Sequence, residues 1–271
     1  PPRSTLSSSS AASDVYKRQF EENLQQQLIE AESGDVIEIP AGVHRLTRSL
    51  SLNVSGVTIK GAGINSSILS FKNQQQGAEG LLVSADNFTI QDLAIEDTTG
   101  DALKVNESNN VVIRNVRTEW TNGPATTNGA YGIYPVQSTN ILIDGAVAIG
   151  ASDAGIYVGQ SSQIIVRNSH AESNVAGIEI ENSTYADVYN NVAVNNTGGI
   201  LVFDLPNLPV QGGANTRVFN NDISTNNTSN FAPAGNIVGT VPSGTGLMVL
   251  ANDNIETVSY THLTLPTKRI V

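Results

Sequence analysis

The sequence predicts an all-β protein, a right-handed single-stranded parallel β-helix with a short N-terminal capping helix. Three observations carry that prediction. First, one phrase recurs: a Gly-Ile pair, a short strand, a Gln-Ser or Asn-Ser turn and a second strand. Its glycines are Gly132, Gly155 and Gly177, spaced by 23 and 22 residues. A unit so short must bury its apolar face on its neighbours. Second, the strands Ile141-Leu142-Ile143, Ile164-Ile165-Val166 and Ala186-Asp187-Val188 each end 11 residues after their glycine. They are short, mostly β-branched and bounded by Asn, Ser and Gly. Third, nothing between them is long enough for a helix or shows a 3.6-residue period. A leucine-rich repeat shares the length, but the spaced leucines and the helix in each repeat are missing. The right hand follows from crossover chirality.

The elements follow in chain order. Residues 1–19 are Ser-rich and without periodicity, and residues 257–271 break off in mid-coil. Both ends resemble translated sequencing-adapter sequence and are set aside from fold reasoning. That leaves one β-helix domain over 20–256, truncated at its C-terminal end. FEENLQQQLIEA, from Phe20 to Ala31, is the amphipathic stretch. Phe20, Leu24, Leu28 and Ile29 are expected on its buried face, with Glu21 and Glu22 at its start. It would cover the open end of the solenoid. Val57-Thr58-Ile59 and Phe88-Thr89-Ile90 begin the regular coils. Stacking them by their last strand residue aligns Ile59, Ile90, Ile113, Ile143, Val166, Val188 and Val218. The corner that follows repeatedly holds Asn or Asp: Asp92, Asn115, Asn168, Asn190 and Asn220. Asn tolerates the left-handed backbone of a tight corner, and stacked amides bond along the axis. Arg114, Asp144 and Arg167 form an exposed ion-pair ladder, worth little per pair.

Composition narrows the function. There is no Cys, so disulfides and thiolate metal sites are excluded. No apolar run reaches ~18 residues, so no membrane-spanning helix is expected. The net charge is −11. Five bases (Arg3, Lys17, Arg18, Lys268, Arg269) and one acid (Asp14) lie in the two ends, leaving 24 acids over 9 bases, or −15, for the rest. Such a surface repels nucleic acid and anionic lipid. It repels polyuronates too, unless a cation mediates.

The phrases GDVIEIPAG, ADNFTI, GDALKVN, NGAYGIYPVQ, SDAGIYVGQS, NVAGIEIENS and GGILVFDLP resemble those of bacterial parallel β-helix repeat proteins in the pectate-lyase-like superfamily. The resemblance spans nearly all of 20–256. It implies the fold and leaves function open, because this superfold hosts lyases, hydrolases, epimerases and structural proteins. Mannuronan epimerases carry Tyr-Gly-Phe-Asp-Pro-His; here the run is Tyr131-Gly132-Ile133-Tyr134-Pro135-Val136. Tyr134 and Val136 replace the Asp and His, so that chemistry is not transferable. Polygalacturonase-type hydrolases need clustered Asp and a Gly-His-Gly. The only histidines are His44, His170 and His262, and His170 reads as a turn or stacking residue.

One strand column suggests a site. Two positions past each repeat glycine or its equivalent stand Leu82, Lys104, Tyr134, Tyr157, Glu179, Leu201 and Met248. The next column is Val83, Val105, Pro135, Val158, Ile180, Val202 and Val249. Alternation points the second inward and the first outward, with rungs roughly 4.8 Å apart. Glu107, Gln137, Gln160, Asn182 and Asp204 follow three positions on. Aromatic surface beside amides suits a sugar-binding strip. Insertions at Thr121–Asn128 and Leu205–Asn215 would wall it. The alternative is a cross-rung tyrosine ladder, worth about 0.5–1.5 kcal/mol per pair.

The expected function is action on a polysaccharide, by β-elimination ahead of hydrolysis or epimerisation. The alternative is a non-catalytic carbohydrate-binding or surface β-helix. Lys104, Tyr134 and Tyr157 are the catalytic candidates, with Tyr131, Gln137, Gln160, Glu179, Asn182 and Asp204 binding substrate. No cofactor is required, although Glu179, Glu181 and Asp204 are candidates for Ca²⁺. If these acids instead exclude uronates, a neutral glycan is favoured, with Asp153 and Asp204 as the spare carboxylates. A secreted, periplasmic or cell-surface monomer is expected, its secretion signal outside this sequence.

Overall fold

The computed structural model describes residues 8–258, and within them the chain winds as a parallel β-helix. Every strand pairing among the described residues is parallel and joins successive coils. One sheet of eight strands runs from Arg48–Leu52 to Thr245–Leu250. A second network of fifteen strands forms the other two sides.

The predicted register is the observed one. Ile59 pairs with Ile90, Ile90 with Ile113, and the ladder continues through Ile143, Val166 and Val188 to Val218. In the eight-stranded sheet Leu103, Ile133, Ile156, Ile178, Ile200 and Leu247 stack in turn. Ile133 through Ile200 are fully buried. The repeat glycines are needed where the coil is narrowest. A Cβ on Gly132 would overlap the Gly155 carbonyl and Thr118, and one on Gly177 the Gly199 carbonyl.

The corners are built from polar ladders. Asp92, Asn115, Asn168, Asn190 and Asn220 all take positive φ, between 48° and 60°, and Asn115 Nδ2 donates to Asp92 Oδ1 at 3.1 Å. At the corner after the eight-stranded sheet the amides of Ser108, Ser138 and Ser161 donate to the hydroxyls of Ser138, Ser161 and Ser183. Each of those backbone donors is thereby satisfied inside the wall. Asp144 receives Arg167 at 2.8 Å and stands in register with Arg114, as expected of the ion-pair ladder. His170 contacts Glu172 at 3.1 Å. His262 lies outside the described residues.

The helix differs from expectation in its extent. The helix runs from Ser8 to Glu30, because its N-terminal extension contains no Gly or Pro to stop it. Leu24 and Leu28 are buried, but Ile29 is exposed, since it lies ~100° around from Leu28. Glu21 sits mid-helix rather than at its start. Its buried carboxylate accepts the Thr47 and Arg48 amides at 2.8 and 3.0 Å, pinning the helix to the first coil. At the other end, Glu256–Val258 is a strand in register with Arg217–Phe219. No helix among the described residues is long and apolar enough to cross a membrane.

Candidate functional site

Most strands alternate between buried and half-exposed residues. Ala154–Gly159, Ala176–Glu181 and Gly198–Phe203 do not: all their residues are buried. Their outer face is therefore covered, and the cover is the long connection between Asp222–Ser224 and Thr245–Leu250. Phe231, Ala232, Val238 and Val241 from this connection pack with Leu205 and Leu208 onto Tyr157, Leu201 and Phe203. Asn230 braces this roof internally, its Nδ2 donating to the carbonyls of Val238 and Val241.

The outward column is real. Lys104 pairs with Tyr134, Tyr157 with Glu179, and Glu179 with Leu201. It is not an open strip, however. Lys104, Tyr131 and Tyr134 are half-exposed, whereas Tyr157 and Glu179 are sealed beneath the roof. The three tyrosines cluster: Tyr131 lies 4.5 Å from both Tyr134 and Tyr157 between ring centroids. Lys104 Nζ stands 5.0 Å over the Tyr134 ring, a cation–π contact. Tyr157 is therefore shut off from solvent. Its hydroxyl donates to Glu181 Oε1 at 2.7 Å.

The expected amide line also changes role. Gln137, Gln160 and Asn182 occupy left-handed corner positions, φ 50°, 54° and 46°. Asn182 is buried and clamps the 205–212 connection, donating to the Leu205 and Val210 carbonyls and accepting the Leu205 amide. Gln160 Oε1 accepts the Val210 amide, and Asp204 Oδ1 the Gly212 amide. These side chains hold the wall in place. They could not be told from sugar-binding amides in sequence, because their partners are backbone groups of a distant loop. Among the described residues of this line, Glu107 and Gln137 make no such contact. The second expected wall is present: Asn128 Nδ2 bonds the Gly123 and Gly150 carbonyls at the start of the strip.

The calcium candidates do not assemble. Glu181 is engaged by Tyr157, Glu179 by Glu181, and Asp204 by Gly212. Among the described residues no group of three or more His, Cys, Asp or Glu is arranged to hold a metal ion.

Instead the face gathers acids with little cationic compensation. Burial, then the Glu181 carboxylate, pushes Asp153 up to about 7. Burial raises Asp101 to about 6, with Lys104 pulling the other way. Burial also raises Glu181, and holds Glu179 well above the usual carboxylate range with Asp153 and Glu181 adding to the shift. One oxygen of Glu179, Oε2, has no partner. Asp153 lies at the roof's edge, 3.5 Å from the Tyr131 hydroxyl and 3.3 Å from Asn236 Nδ2. Asp101 Oδ1 accepts the Tyr131 amide at 3.2 Å. The tyrosines are poor bases here: burial pushes Tyr134 up to about 12 and Tyr131 and Tyr157 further. Asp101 was the residue missed in sequence, although it opens the quoted phrase GDALKVN one rung before Tyr131.

Comparison with known proteins fits this geometry. The family model described as "Right handed beta helix region" matches residues 79–259. The chain belongs to this right-handed β-helix family. No curated protein sequence matches it. Among solved structures it is similar to an alginate lyase from a Paenibacillus species, at 14% identity over 90% of this chain and 97% of that one, TM-score 0.48. It is also similar to the pectate lyase Pel9A, at 13% identity over 90% and 75%, TM-score 0.45. The tailspike protein of E. coli bacteriophage HK620, in complex with a pentasaccharide, matches at 12% identity over 89% and 53%, TM-score 0.50. The β-helix chain thus spans about half the tailspike's length. At these identities the likeness is one of fold.

Proposed function

We propose that this β-helix protein acts on a neutral polysaccharide by general acid–base hydrolysis at the open end of the tyrosine strip. The observation that carries the proposal is the pair Asp101 and Asp153, two carboxyls that both contact Tyr131, both raised by burial, one beside the Lys104 cation and the other beside the Glu181 carboxylate. That difference in neighbouring charge assigns roles. Asp153, near neutral pH still partly protonated, donates its proton to the glycosidic oxygen as the C–O bond breaks. Asp101, ionised beside Lys104, takes a proton from the water that attacks the anomeric carbon. Tyr131 and Tyr134 offer the ring surface on which a sugar stacks. β-Elimination is less well served. Its base would be a phenol whose ionisation burial opposes, and its uronate carboxylate would meet Asp101, Asp153 and Glu181 with Lys104 as the one cation of the outward column. The acids therefore favour a neutral glycan. A fold neighbour that holds a pentasaccharide supports a saccharide ligand in general. An extracellular or periplasmic site of action accords with such a substrate.

A second reading has its own observation: Tyr157 and Glu179, the middle of the strip, are sealed. That favours a non-catalytic carbohydrate-binding β-helix. The test is incubation with a panel of neutral and uronate polysaccharides, following reducing ends and absorbance at 235 nm. New reducing ends from a neutral glycan, without 235 nm absorbance, are expected. Unsaturated product from a uronate polymer would overturn the proposal, and binding without product would establish the second reading.

A further inference from the structure

Around the corner from the roofed sheet, the outer face of the column through Thr139–Asp144 carries half-exposed residues. One residue per coil there takes left-handed backbone near the strand's start: Asn110, Asn140, Gln163, Tyr185, Asn215 and Asn254, with φ between 52° and 61°. Carboxamide residues tolerate that conformation, but a bulky aromatic is a genuine outlier in it. Burial does not repay the strain at Tyr185, which is 64% exposed. Among the described residues its side chain has no hydrogen bond and no ring contact.

Two clefts meet at this tyrosine. One, of ≈ 430 Å³, is floored by Val112, Leu142 and Ile165 and walled by Asn110, Asn140 and Gln163. The other, of ≈ 340 Å³, is lined by Asp187, Asn215, Arg217, Asn254 and Glu256. Tyr185 and Asp187 line both. The apolar floor is a single column one residue wide, in register across the rungs, too narrow to hold an amphipathic helix. Its walls are carboxamides, which offer donors and acceptors together. The cation present is spoken for: Arg217 Nε and its terminal nitrogen bond both oxygens of Asp187, at 2.7 and 2.5 Å. Nothing there would compensate a phosphate, sulfate or uronate. A neutral sugar chain matches, with apolar ring faces for the floor and for Tyr185 and hydroxyls for the amides.

We infer that this outer face is a second saccharide-binding site, in which Tyr185 stacks one ring of a neutral oligosaccharide laid across the coils. It stands apart from the roofed face and does not depend on catalysis there. A strained, exposed aromatic costs stability unless a ligand uses it, so the strain is the mark of function. The probe is a set of neutral hexasaccharides (α- and β-linked glucans, a mannan and a xylan), titrated calorimetrically into the full chain carrying Asp153→Asn, so that turnover does not interfere. The variant is Tyr185→Asn in that background. Asn is the residue of neighbouring rungs and relieves the strain, so this variant is expected to fold with a melting temperature equal to or above its parent's. Saturable binding of at least one hexasaccharide, weakened tenfold or more by Tyr185→Asn, is the expected result. Turnover of a short soluble substrate by Tyr185→Asn alone should equal that of the unmodified chain. Affinity unchanged by Tyr185→Asn, no binding of any hexasaccharide, or sedimentation showing a dimer that Tyr185→Asn dissociates would overturn the inference.

Discussion

Gly159 decides where Tyr157 lies. The tyrosine ring folds along the strand over this glycine to reach Glu181 on the next rung, and a Cβ on Gly159 would overlap its hydroxyl and ring. Gly159→Ala should therefore displace the ring and cost about 1–3 kcal/mol, read as a lowered midpoint in urea unfolding. Tyr157→Phe removes the phenol donor from Glu181, which keeps Glu179 as its other partner, while preserving the ring's volume. A loss of similar size, about 1–3 kcal/mol, is expected because a buried carboxyl loses one of its two partners. An unchanged midpoint would mean that Glu181 finds another donor. At this scale the sequence was half legible. Alternation and the repeat correctly put Tyr134, Tyr157 and Glu179 in one outward column. The step from outward to exposed failed at Tyr157 and Glu179, because what covers an outer face comes from elsewhere in the chain. The outward Leu201 and the later Phe203 were the available signal: an apolar side chain on the outside of a solenoid asks for a cover.

The roof is the element that changes the site's meaning. Its surplus residues between Val218 and Gly246 are plain in the sequence, but a loop's own residues do not say which face it lands on. The corners were fully legible, because left-handed Asn is a local property. The roof closes over acids, so its docking depends on protonation. Asp153 and Asp101, with folded-state values raised to about 7 and about 6, and Glu179 and Glu181, also raised, bind protons that the unfolded chain has released. Their contribution is complete below the ordinary carboxylate range and is lost as pH rises through about 7. Asp144 and Glu172, held low by Arg167 and by Asn195 respectively, act oppositely but lie half-buried at the surface, where solvent screens them. The melting temperature should accordingly fall between pH 5 and pH 8, by on the order of 5 °C. Hydrogen exchange in 228–241 should quicken over the same interval. Asp153→Asn should flatten part of the fall; a melting temperature that rises from pH 5 to 8 would contradict a protonated acid cluster.

For the whole molecule, the stacked coils make one aliphatic interior, and its register was readable from spacing alone because each rung repeats the same burial. Ile156→Asp would place an unpaired carboxylate between Ile133 and Ile178 and should unfold the neighbouring coils, seen as loss of soluble β-structured protein by circular dichroism. Chemistry was less readable than architecture, since Asp101 and Asp153 are brought to either side of Tyr131 only after the chain has made two turns. The measurement that tests their assignment most directly is the pH profile of kcat/KM on the neutral glycan that yields reducing ends, for the unmodified chain and Asp153→Asn. The account predicts a descending limb near pH 7 as Asp153 loses its proton, and a loss of roughly a hundredfold or more in Asp153→Asn, with that limb abolished. Turnover within a few fold of the unmodified chain, with the descending limb intact in Asp153→Asn, would contradict it.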